Sequence, residues 1–523
     1  MRLILLSFLV LAATVRAEGK GGDDSKWKEA EQAYKDDIKK KQVRYKKRAI
    51  EALPANDERT IAFIIDQEKL LSSKDWWIRT TAAEQLSKIR LPELREKLLS
   101  YAKHSDLKVR EGVLAALALS TDARLDPPVI VEALKDKAWE VRRMACWAAG
   151  QQRIKEAVEP MIAMINSIDP RTGREIQKGE QHPRVHPVLL FNLEEIVGTS
   201  FHTDAAQWRD YWDRNKDKAL PRVKRFDVES FADVKVEFND TFARKGTGPL
   251  TLVLPMPGKS TVYYMPYFSQ WMFVKWLFVN LPPITSFPDV KKNEHGDPIY
   301  PVDILVDAFE AIRKKYSVEQ MVVVGHWFST WVAAKYAQKY PDRVMGLVLI
   351  DPYASNEGYR KAIDSAKRSG DPDSEFWAKV SSYEIKIAST LEGEVYDYVR
   401  TTAFLAQKNR DDLEVGILRT VWHDPAATDI AIPDFDIRGE DTSRIPALIF
   451  LPGKENEMMA FDDLSKLQRY YPKNVTVKGG KDFAYLPFME APEKFEEGLR
   501  LFVDKKVIEQ PAAAPTKTGD ANK

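Results

Sequence analysis

The chain has 523 residues, 30% charged and 44% hydrophobic, which leaves room for two to four domains, each with its own core. Its 79 Lys and Arg almost cancel 78 Asp and Glu, giving a formal charge of +1. A near-neutral chain has no global field to draw in polyanions, so nucleic acid is excluded as a partner.

The first residues read as an export signal. Arg2 supplies the positive start, residues 3–13 are apolar, and Val15-Arg16-Ala17 suits cleavage before Glu18. The apolar run is too short for a stop-transfer helix, so no transmembrane span is expected after cleavage. The predicted location is the periplasm, the cell envelope or the exterior. Residues 18–57 are highly charged with a thin apolar stripe, which predicts an exposed helix or partly flexible arm.

An internal repeat runs through residues 58–218. Asp75-Trp76-Trp77-Ile78-Arg79 is followed by Asp106-Leu107-Lys108-Val109-Arg110, then by Asp136 with Val141-Arg142. Ile78, Val109 and Val141 fall 31 and 32 residues apart. Each copy has an Asp at a turn, a β-branched residue, an Arg, and then small or apolar residues at helical spacing. A worn fourth copy surrounds Val185, after a polar insertion at 169–181 that reads as a loop. Trp208-Arg209-Asp210-Tyr211-Trp212 closes the array with aromatic anchors. The pattern resembles HEAT-type repeats, which implies an all-α solenoid offering a surface to a protein partner. Cys146, the only cysteine, sits among Met144, Ala145, Trp147 and Ala148 and reads as a core thiol. A single cysteine allows neither an internal disulfide nor a Cys-rich zinc site. His182 and His186 are four apart, but Pro183 and Pro187 oppose a regular helix and the ligand count is too low. No metal and no cofactor is expected.

Residues 219–230 read as a linker, after which the period changes. Val234, Val236 and Phe238 alternate with Lys235 and Glu237, a half-buried strand, and residues 250–254 form a buried one ending in Pro255-Met256-Pro257-Gly258. The aromatic stretch 263–278 predicts a helix packed in the core. A helix over 302–316, a strand over 321–324, a helix over 331–340 and a strand over 344–352 follow. Residues 353–445 are polar and mainly helical, as in an inserted lid; strands resume at 446–451 and 475–478. The tail, 506–523, is Ala/Pro-rich and predicted to be disordered. Repeated strand–helix units imply an α/β domain over 231–505 with a mostly parallel sheet. Asn239-Asp240-Thr241 and Asn474-Val475-Thr476 match the glycosylation pattern, relevant only in a secretory host.

The stretch VVVGHWFSTWVAAKYAQKYPDRVMGLVLIDP (322–352) resembles the α/β-hydrolase family, where a strand, GHSxGG, a helix ending in YPDRV and a strand ending in Asp occur in that order. PDVKKNEHG, IPALIFLPGKEN and MEAPEKF are similar to that family's loop, late strand and final helix start. The resemblance implies a triad of nucleophile, imidazole and carboxylate. Carried across, the nucleophile falls on Trp327, the acid on Asn456 between Glu455 and Glu457, and the histidine on Tyr485. No histidine follows His423. An indole cannot attack a carbonyl, so no intact triad is expected. Pro255 and Pro257 have no N–H to offer an oxyanion, although Gly258 keeps one. Ser329 and Thr330 replace the small glycines of the turn. With Trp327 in place, the expectation is either a relaxed turn or an indole filling the old pocket.

Rescue of catalysis has specific candidates: Ser329 with His326, or His423 approaching from the lid, with Asp351 at a strand end as alternative acid. Met256, Gly258, Trp327, Phe328 and Tyr485, with Tyr263 or Trp271, either line a ligand pocket or pack the core. The leading reading is an exported pseudoenzyme of α/β-hydrolase fold acting in binding or assembly. The alternatives are a serine-type ester or amide hydrolase using displaced residues, and a receptor for a small apolar ligand.

Overall fold

A computed structural model describes residues 24–40, 43–74, 76–120, 126–165, 185–201, 204–255, 260–287, 289–292, 299–352, 445–452, 475–480 and 486–508, with scattered positions between 361 and 379. The expected signal, the polar insertion, most of the lid region and residues 509–523 of the tail lie outside the described residues, whereas the tail's first residues, expected to be disordered, end the helical turn Val503–Ile508 with Val507 buried. No helix among the described residues is long and apolar enough to cross a membrane.

The described residues between 24 and 215 are mainly helical. Trp76–Ser87 is followed by Pro92–Ser100, Leu107–Leu119 by Pro127–Ala133, Trp139–Gln152 by Val158–Ile165, and Val185–Val197 by Ala205–Asn215. The repeated Asp and Arg explain how each copy starts. Asp106 accepts the Lys108 amide at 2.9 Å, and Asp136 accepts the Ala138 amide at 2.8 Å, satisfying N–H groups that the helix leaves free. The Arg then folds back on its own turn. Arg110 Nη1 donates to the carbonyls of His104 and Ser105, as Arg79 does to Ser73 and Lys74, and Arg142 to Asp136 and Lys137. Arg110 also grips Asp136 of the next copy through two bonds of 2.8 and 3.0 Å. Consecutive copies are thereby locked in register. Val109 and Val141 are buried beneath them, as is Cys146, whose thiol burial pushes up to about 12, so it is unreactive.

The charged segment expected as an exposed arm is instead packed. Asp24–Asp37 and Val43–Glu51 are helices whose Trp27, Tyr34 and Ile50 join the helical core. Trp27 and Tyr34 meet Phe63 edge-on at 5.7 and 5.0 Å. Two large aromatics bury as much surface as a wider aliphatic stripe, which is why a count of apolar positions understated the packing.

The second part is an eight-stranded sheet: β1 (Asp227–Phe231), β2 (Val234–Asn239), β3 (Leu250–Leu254), β4 (Lys275–Val279), β5 (Met321–His326), β6 (Val344–Ile350), β7 (Ala447–Pro452) and β8 (Val475–Gly480). Their spatial order is β1-β2-β4-β3-β5-β6-β7-β8, antiparallel at β1/β2 and β2/β4 and parallel elsewhere. The C-terminal ends of β3, β5, β6 and β7 therefore lie along one edge. Two expectations are corrected. Part of the predicted linker is strand β1, turned into β2 at Ala232 and Asp233, both at positive φ (47° and 64°). That is the backbone of a two-residue hairpin, made without the glycine or asparagine that signals one. The predicted 263–278 helix is only Met265–Phe268, and strand β4 follows. All of β4 after Lys275 is buried, so no alternation marks it as a strand.

Helix and sheet regions are joined by Arg225, which stacks on Phe191 and reaches Glu194 at 2.9 Å and Glu195 at 2.7 Å. Asn239, of the first glycosylation pattern, is buried; its side chain bonds the Arg225 carbonyl and the Thr241 amide, so the folded protein does not present it.

Arg95 and Asp126 form a buried pair, with Gln152 donating to the same carboxylate at 2.7 Å. Arg95→Ala leaves that carboxylate buried with one neutral partner and is expected to cost about 3–5 kcal/mol. Chemical denaturation followed by circular dichroism reads the loss; a midpoint matching wild type would contradict it.

Candidate functional site

The edge where the parallel strands end carries the turn between β5 and helix Phe328–Lys339. Trp327 stands at its tip with φ 55° and ψ −123°. Residues that are not glycine hold such a backbone only when the surroundings impose it, at a cost of about 1–3 kcal/mol. Those surroundings are visible. A Cβ on Gly325 would come within 2.4 Å of the Ser329 carbonyl oxygen, so the turn closes only over a glycine. The Trp327 amide donates to Ile350 of β6 at 2.9 Å, and its carbonyl receives the Thr330 amide at 2.9 Å and hydroxyl at 2.5 Å. Of the two outcomes expected from the sequence, the relaxed turn is excluded: the sharp elbow persists, and the indole is only 8% exposed.

The elbow also decides Ser329. Its side chain is fully buried and donates to the Pro255 carbonyl at the end of β3. The hydroxyl thus faces backwards into the sheet, away from the tip where an attacking oxygen must stand. His326, also fully buried, has Nδ1 2.7 Å from the Tyr264 hydroxyl. Tyr264 in turn stacks on Phe488 at 5.0 Å. The proposed Ser329–His326 pair is therefore not assembled. Side chains three positions apart on either side of a sharp turn point to different layers, one to β3 and one to the aromatic cluster. Tyr264 was missed from sequence because nothing distinguishes it within a run of aromatics.

Asp351 ends β6. It has φ 48°, its amide donates to Phe450 of β7 at 2.9 Å, and its side chain is buried. Among the described residues neither carboxylate oxygen has a hydrogen-bond partner. Burial pushes this carboxyl well above the usual range, favouring the neutral acid. Among the described residues it meets no imidazole. Phe328 packs with Trp331 at 5.5 Å and Tyr300 at 6.3 Å, which makes it core rather than pocket lining. Its amide, next after the elbow residue, keeps the position from which such turns donate to an oxyanion. Met256, Gly258, His423, Asn456 and Tyr485 lie outside the described residues.

The strand order and the elbow define an α/β-hydrolase fold, with a mostly parallel sheet. The sequence profile of the Ndr family matches residues 288–369, which hold β5, the elbow and β6. The abhydrolase domain-containing protein abhd-5.2 of Caenorhabditis elegans is 37% identical over 76 residues, 14% of this chain and 15% of that protein. A 1-acylglycerol-3-phosphate O-acyltransferase of Arabidopsis thaliana is 30% identical over 103 residues, 20% of each chain. A (lyso)-N-acylphosphatidylethanolamine lipase of Bos taurus is 37% identical over 57 residues, 11% of this chain and 17% of the lipase. The chain thus matches a fifth or less of these relatives' length. Among solved structures, VinJ aligns over 54% of this chain and 99% of its own with 14% identity and a TM-score of 0.40.

A carboxyl whose folded value lies above its unfolded value of about 3.9 keeps its proton in the native state after the unfolded state has lost it. Stability then falls as pH rises from about 4 up to the folded value, by up to about 1.4 kcal/mol per pH unit. Asp351→Asn removes this slope. The stability difference between variant and wild type should grow in the variant's favour across that window, as read by denaturation at a series of pH values. A constant difference would show that Asp351 ionises normally.

Proposed function

We propose that the α/β-hydrolase domain is a pseudoenzyme that acts by binding, in an exported protein whose helical part is a HEAT-like solenoid for a protein partner. The observation that carries this reading is Trp327: the elbow keeps its strained geometry, yet presents an indole where the attacking oxygen stands in a hydrolase. Strain of this kind persists where the local shape is used, and here nucleophilic attack is not the use. The engagement of Ser329 with Pro255 supports the same reading, because it removes the nearest replacement hydroxyl. The solenoid reading is supported by the two Arg110–Asp136 bonds that join one copy to the next, and export by the pattern of residues 2–17.

A panel of p-nitrophenyl esters from acetate to palmitate, with matching anilides, tests the central claim on the full chain. Hydrolysis is expected at the buffer rate, with no labelling by a fluorophosphonate. Trp327→Ser is expected to remain inactive, because in the sequence the family's histidine position holds Tyr485. Sustained turnover that disappears in Ser329→Ala, with the fold intact, would falsify the pseudoenzyme reading.

A further inference from the structure

The charge of the chain balances overall but is not evenly placed. Between Ile38 and Ile50 stand seven Lys and Arg residues and no acid. This run joins the first two helices, Asp24–Asp37 and Val43–Glu51. Lys39, Lys40 and Arg48 are exposed there, and Lys46 is half-buried. Part of the charge holds the fold. Lys47 is buried and pairs with Glu51 at 2.9 Å, with Glu84 at 3.7 Å. Lys40 and Arg48 both engage Asp37, at 2.6 and 2.7 Å, so one aspartate answers two cations. The same two cations lie over the Tyr45 ring, 4.4 and 5.1 Å from its centre, which fixes them close together at the surface.

We propose that this basic turn is a docking surface for a membrane containing anionic phospholipid, to which the helical part attaches peripherally. Clustered Lys and Arg side chains are drawn to acidic headgroups, and the attraction adds up over the cations within a Debye length of the bilayer. The arrangement suits an array of headgroups. Its cations lie along an exposed turn and the helix after it, where they meet many small charges at once instead of enclosing one anion. Ile38 and Tyr45, both partly exposed, place apolar surface among the cations, at the level where headgroups give way to acyl chains. A nucleic acid strand is the poorer fit. Such strands are held by aromatic rings that stack on bases, and the Tyr45 ring already carries Lys40 and Arg48. The membrane contact belongs to the helical part and is separate from whatever the hydrolase-like domain binds.

The test uses the chain from Glu18 onward, so that the apolar start does not itself insert. It is floated with vesicles of phosphatidylcholine alone and of phosphatidylcholine with about a third phosphatidylglycerol. Binding to the anionic vesicles is expected to be at least about tenfold tighter, and to fall as salt rises from about 0.05 M to about 0.5 M. Lys39→Glu, Lys41→Glu and Lys46→Glu together should abolish it, while leaving the bonds of Lys40 and Arg48 to Asp37 in place. Lys103→Glu, Lys135→Glu and Lys137→Glu, at three exposed positions elsewhere on the helical part, change the net charge equally and should leave binding intact. Circular dichroism checks that both variants fold; should the first fail, the lipid preference and salt response of the wild type decide alone. Equal binding to the two vesicles, absence of binding, or the same loss in both variants overturns the proposal. Binding to single-stranded DNA or poly-glutamate without binding to anionic vesicles overturns it too, and assigns the turn to a soluble polyanion.

Discussion

The close approach of Gly325 to the Ser329 carbonyl is the constraint on which this edge of the molecule depends. With no Cβ at 325, the chain passes from β5 into helix Phe328–Lys339 within a single residue. That forces Trp327 into its positive-φ backbone, ties it to β6, and turns Ser329 back onto Pro255 of β3. Three central strands are held at their C-terminal ends by one turn. A hydrolase uses the same geometry to expose an oxygen; here it presents an indole.

The chemistry at the edge follows from where buried polar groups find partners. Ser329 and His326 are both satisfied, by a carbonyl and a phenol, and so are withdrawn from each other. Asp351 is the exception: among the described residues its buried carboxyl has no hydrogen-bond partner. The helical part shows the opposite economy. Its aspartates and arginines recur because each satisfies a turn and a neighbour at once, as Asp136 does for the Ala138 amide and for Arg110.

The amount that could be read in advance varied with the kind of interaction. Strands β2, β3, β5, β6 and β7 were legible because their periodicity or apolar runs are local properties of the chain. So was the spacing of Asp106 and Asp136 with Arg110 and Arg142. The packed helices at Asp24–Asp37 and Val43–Glu51 were not, since Trp27 and Tyr34 are covered by residues distant in the chain, Phe63 among them. Strand β1 escaped because its turn residues, Ala232 and Asp233, carry no turn signature. Strand β4 escaped because a run of aromatic residues buried on both faces has no period.

By itself the sequence determined the replacement of the nucleophile by Trp327 and the glycine that makes the elbow possible, since identity at a motif position needs no coordinates. It also determined the helical period, which local spacing encodes. Only the tertiary structure decided that the elbow stays strained, that Ser329 faces Pro255, and that Asp351 is buried at the strand end next to Trp327. Each of these depends on residues brought together from separate strands. A side chain's direction and its partners are set by the neighbours that the sheet supplies, not by the residues next to it in the chain.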